Sequence, residues 1–148
     1  MIDKSTGAIR FTEWPCPVTP DTTRTAFLTS PLAVGAEPEV QNGPWFSWRL
    51  APPECVEGGW FTSLHFHNDT LWQVSMAIGG AEYGSSWSDW SEEKENKRRL
   101  RHDAALTQWL GPEPYQFPWG KIWSGYDGKG GFSSITVTYI PFEDFQNK

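Results

Sequence analysis

Two histidines one residue apart, His65-Phe66-His67, come nearest in this chain to a metal-ligand pair. On a strand both imidazoles project from one side, a spacing that suits transition-metal coordination. A third ligand would have to come from another element, with Glu92, His102 and Asp103 as candidates. His67 directly precedes a turn, and alternation points both rings away from Leu64 and Phe66. Solvent-facing histidines are therefore the expectation, and no metal or cofactor is assigned.

Other arrangements fall short of a catalytic signature. Gly125 to Ser134 is glycine-rich, but Lys129 is followed by Gly130 instead of Ser or Thr, and a strand pattern follows instead of a helix. A hairpin turn, not a phosphate loop, is predicted there. Ser, His and Asp all occur, yet no nucleophile elbow links them, so no catalytic residue is assigned. Cys16 and Cys55, beside prolines and without a CxxC spacing, do not make a zinc site. Asp103 falls between Leu100, Leu106 and Leu110 on a helical wheel. A carboxylate in that stripe needs a partner, which Arg99 one turn earlier or another donor such as a Trp N–H can supply.

The residues best suited to binding are Trp87 and Trp90, in a polar loop, followed by Glu92, Glu93 and Glu95. Tryptophan is enriched at interface hot spots, and neighbouring carboxylates steer a basic partner. The alternative is that both indoles fold back over the sheet.

These residues depend on elements legible from pattern. Ser91 is a suitable N-cap, Glu92 and Glu93 suit the positive end of a helix dipole, and Gly111-Pro112 stops the run, predicting a helix over about 91–110. Its apolar stripe is Leu100, Ala104, Leu106 and Leu110, with Trp109 at the edge. The first two turns have no apolar face, so they are either solvated or set against a polar partner. Trp60 to His67 and Thr70 to Ile78 predict a hairpin turning at Asn68-Asp69, with Trp60, Thr62, Leu64 and Phe66 on one face. Trp72, Val74 and Met76 share a face of the partner strand, with Leu71 competing for the inward place. Trp45 to Leu50 reads as a strand, and Ala8 to Trp14 as a short one. Thr22 to Thr29 reads as strand or one helical turn capped by Asp21, and Leu32 to Gly43 reads as loop. The last hairpin runs from Phe117 to Tyr139, with positive φ expected at Gly130 or Gly131. The sum is an α+β domain: a mostly antiparallel sheet of about five to seven strands, with one main helix inserted before the C-terminal hairpin.

Composition fits one domain over 1–148. Aromatic residues make up 16% and there are ten Trp, more than a core needs. The net charge of -6 argues against nucleic-acid binding. No apolar run approaches the ~20 residues of a membrane span, and the N-terminus lacks the apolar core of a signal peptide. The chain therefore reads as cytoplasmic, unless a leader has been removed.

The stretch Thr23 to Pro31 (Thr-Arg-x-x-Phe-Leu-x-Ser-Pro), Phe66 ahead of Asn68-Asp69-Thr70-Leu71, Trp87 to Glu93 (Trp-x-x-Trp-Ser-Glu-Glu), and the hairpin from Trp119-Gly120 through Tyr126-Asp127-x-Lys129-x-Gly131 to Tyr139 carry a resemblance. Together they resemble a group of small uncharacterised bacterial proteins, and the likeness covers most of the chain. By analogy of size and acidity, such proteins look like the immunity partners of bacterial toxins. The leading expectation is a non-enzymatic protein-binding module that masks a basic toxin or effector. Alternatives are a carbohydrate- or small-ligand-binding module using Trp platforms, and an enzyme with a dispersed site around His65, His67 and Asp103.

Overall fold

A computed structural model describes residues 1–52, 59–84, 87–127 and 131–139. Cys55, Gly128, Lys129 and Gly130 lie outside the described residues. The chain runs α1 (Arg24–Leu28), β1 (Glu37–Asn42), β2 (Trp45–Arg49), β3 (Trp60–His67), β4 (Thr70–Ile78), α2 (Glu92–Leu110), β5 (Gln116–Phe117), β6 (Gly120–Asp127) and β7 (Phe132–Tyr139). The seven strands form one sheet in the order β1-β2-β3-β4-β7-β6-β5, and every pairing is antiparallel. This is the expected α+β architecture, with the main helix between the β3–β4 hairpin and the C-terminal strands. No helix among the described residues is long and apolar enough to cross a membrane.

One face of the sheet carries the core. Leu64, Phe66, Leu71, Val74, Ile135, Val137 and Tyr139 are fully buried there against Leu106 and Leu110 of α2 and against Ile2, Ile9 and Val18 of the N-terminal segment. That segment is fastened at its near end: Tyr139 Oη donates to Gly7 O at 2.8 Å, and Trp119 Nε1 donates to Lys4 O at 2.8 Å. Burial raises the Tyr139 hydroxyl well above the ordinary tyrosine range, so it stays protonated as a donor.

Four local readings change. Asn68 takes positive φ (53°) in the β3–β4 turn, as the sequence predicts. β4, however, carries one extra residue opposite the step from His65 to Phe66. This bulge lets Leu71 and Val74 both point inward and removes Trp72 from their face. Leu32 to Gly43 contains β1, an edge strand that tolerates Pro38 through a register shift between Pro38 and Val40. Ala8 to Trp14 forms only isolated bridges at Ile9, because a turn from Phe11 to Trp14 diverts the chain. The short α1 is capped by Thr23, not Asp21: Thr23 Oγ1 accepts the Ala26 N–H at 3.0 Å.

Candidate partner-binding surface and the helix beneath it

α2 begins where its sequence says. Ser91 Oγ accepts the Lys94 N–H at 3.1 Å, and Gly111 ends the helix with φ 84°. Its rotation differs from the expected wheel. Leu100 is 62% exposed and Ala104 is exposed, while Glu95, Arg98, His102, Ala105, Leu106 and Leu110 are buried. The cause is a fork in the sheet. Pairing between β4 and β7 runs from Gln73↔Thr138 to Met76↔Ile135 and stops, although β4 continues to Ile78 and β7 begins at Phe132. The strand ends beyond the fork need other acceptors, since an unpaired buried N–H is costly.

The polar start of α2 supplies them. Glu95 Oε1 accepts the Ser133 N–H at 2.7 Å, and the Glu95 carbonyl accepts Ser133 Oγ at 3.0 Å. His102 Nε2 accepts the Ile78 N–H at 2.9 Å, which places the ring proton on Nδ1. Arg98 bridges the row, donating to Glu95 Oε2 at 2.8 Å and to Gly84 O at 2.6 Å. Arg98 Nε and His102 Nδ1 have no hydrogen-bond partner among the described residues. Burial, reinforced by Arg98 and Arg101, pushes the His102 pKa down to about 4, so the imidazole is neutral at pH 7. The helix half without an apolar face thus lies against polar strand ends.

Two sequence expectations are corrected here. Glu95 was expected on the partner-binding surface, but it is 2% exposed and committed to Arg98 and Ser133, so its charge is not presented to solvent. Asp103 was expected to be partly buried and paired with Arg99 or another donor. It is exposed, and it accepts a hydrogen bond from Ser124 Oγ of β6 at 2.7 Å. Both follow from one rotation of the helix, which turns Leu100 and Asp103 outward and Glu95 inward.

Trp87, Glu92 and Glu93 are all exposed, with Trp87 at 65%, and Trp90 is half-buried. Trp87 lies in a short turn (Trp87–Asp89) just before the helix. Its ring is seated over Gly131, where an added Cβ would come within 2.5 Å of the indole. Gly131 also holds positive φ (76°), as expected of Gly130 or Gly131. Phe132 supports the Trp87 ring at 5.0 Å between centroids and Trp90 at 6.0 Å. Trp90 folds back so that its indole N–H donates to Gly131 O. One indole is therefore anchored on the hairpin, and its neighbour is displayed. Sequence reasoning missed Gly131 and Phe132 as that support, because nothing in the local pattern pairs the last turn with the loop before α2.

The histidine pair lies elsewhere. Alternation from the buried Leu64 and Phe66 puts His65 and His67 on the sheet face opposite α2, which separates them from Glu92, His102 and Asp103. His65 shares a hydrogen bond with Ser75 Oγ at 3.0 Å, and burial lowers its pKa. The His67 ring meets the Trp45 ring edge-on at 4.6 Å. On the same face Trp45 and Trp72 cross at 73°, which is not the parallel pair of platforms that suits stacking on a sugar. No family model matches the chain, and neither a curated protein nor a solved structure does.

Proposed function

We propose that this protein is a non-enzymatic binding protein whose partner is another protein, a basic toxin or effector that it masks in the manner of an immunity protein. The observation that carries the reading is Trp87: a large apolar side chain 65% exposed, yet held in place by Gly131, Phe132 and Trp90. An indole ordered before binding loses little entropy when a partner covers it, which is what an interface anchor needs. Glu92 and Glu93 lie exposed beside it in the first turn of α2, where they steer a cationic surface. The net charge of -6 favours the same class of partner. The likeness in size and acidity to immunity proteins supports the biological role, and the cytoplasm is where such a protein would meet its target.

The test is affinity capture from the native host with three baits: the parent, Trp87→Ala, and the double variant Glu92→Lys, Glu93→Lys. A protein retained by the parent and lost from both variants supports the reading. Retention on all three baits, with their folds intact, refutes it.

A further inference from the structure

A cavity of about 390 Å³ opens between the N-terminal segment, the turn at Pro31–Ala33 and the end of β2. It shares no residue with the Trp87 surface. Leu32, Leu50 and Trp60 line it, each at least nine-tenths buried in the core, and Trp14 lines it as well. Behind them Phe11 stacks on Trp60 at 5.9 Å and meets Trp14 edge-on at 4.9 Å, so the aromatic wall is backed by further rings. Pro15, Pro31 and Pro52 also line it, and their fixed φ stiffens its backbone. Among the described residues, Glu13, exposed, is the one charged side chain in the lining. Burial holds the Met1 amino group down to a pKa of about 6, a shift that nearby Glu13 opposes.

Ligand sites of small molecules are hollows of ~300–1,000 Å³ with apolar, aromatic walls and few, well-placed polar groups. This hollow has the size, the walls and, among the described residues, a single lining carboxylate. We propose that it binds a small organic amine: an aromatic or branched apolar body against Trp14, Trp60, Leu32 and Leu50, with a protonated amino group directed to Glu13. Stiff walls favour a ligand of fixed shape, since little of the protein has to be ordered on binding. An anionic ligand of the same shape meets the Glu13 charge and is rejected.

The probes are 3-phenylpropylammonium, 3-phenylpropanol and 3-phenylpropionate, titrated into the full chain. The readout is the indole N–H resonances of Trp14 and Trp60 in nitrogen-15-labelled protein, assigned by single Trp→Phe variants. The ammonium should shift both resonances saturably and bind about tenfold tighter than the alcohol, with the carboxylate weakest. Glu13→Gln should bring ammonium and alcohol within about threefold of one another. Val34→Trp, at an exposed lining position, should obstruct the cavity and weaken all three probes. No saturable shift at Trp14 and Trp60 with any probe overturns the proposal. So does equal affinity for the ammonium and the carboxylate, or a preference for the ammonium that survives Glu13→Gln.

Discussion

Protonating His102 should undo the fork between β4 and β7. The ring is 0% exposed, stacks on Trp60 at 5.4 Å, and uses Nε2 to accept the Ile78 N–H. A proton on Nε2 would replace that acceptor with a donor facing another donor, in a site where Arg98 already carries charge. Folding therefore lowers the His102 pKa from its ordinary 6.5 to about 4. Between these values the unfolded chain binds the proton and the folded protein does not. The contribution is fully present above pH 6.5, and stability falls as pH drops from 6.5 towards 4. At ~1.4 kcal/mol per pH unit the whole window amounts to roughly 3 kcal/mol. The assay is urea unfolding followed by tryptophan emission at about pH 7.5 and about pH 4.5, on the parent and on His102→Gln. The glutamine amide oxygen can still accept the Ile78 N–H but does not titrate. Other groups, including the half-buried His65, titrate in both proteins and cancel. The parent should lose roughly 2–3 kcal/mol more than the variant between the two pH values. Equal losses, or a His102 ring titrating near pH 6.5 in the folded protein by NMR, would refute the reasoning.

Three further outcomes follow from the same contacts. Glu95→Ala leaves Arg98 buried without its carboxylate and Ser133 without an acceptor, so it should cost about 3–5 kcal/mol in denaturant unfolding, with Glu95→Gln milder. Gly131→Ala places a methyl group against the Trp87 ring at positive φ; it should cost on the order of 1 kcal/mol or more in thermal unfolding and change the Trp87 environment in fluorescence. Asp103→Ala removes only an exposed hydrogen bond to Ser124 and should stay within ~1 kcal/mol of the parent in chemical unfolding.

The strand β2, the β3–β4 hairpin, the C-terminal strands β6 and β7 and the main helix were legible because their signals are local. Ser91, Gly111 and the alternation of Trp60, Thr62, Leu64 and Phe66 each act within a few residues, and each behaves as its chemistry dictates. Helix rotation was not legible, because apolar periodicity says nothing about a face buried through polar contacts. Glu95, Arg98 and His102 share one face by their three- and four-residue spacing, but their role depends on a sheet fork that only the tertiary pairing creates. The bulge at Leu71 and Trp72 is of the same kind: inserting one residue reverses the face of Trp72, and no residue type there announces it. Of the candidate surface, the sequence identified Trp87, Trp90, Glu92 and Glu93 as neighbours. It could not tell that Glu95, one turn into the same helix, faces the other way.

The most direct test of the binding account is calorimetric titration of the purified partner, once captured, into the parent protein and into Trp87→Ala. Trp87 is displayed, not part of the core, so the variant should keep its unfolding curve while losing affinity by at least about tenfold, the scale expected of a central indole anchor. An affinity within about twofold of the parent, with the fold intact, would contradict the account and remove Trp87 from the interface.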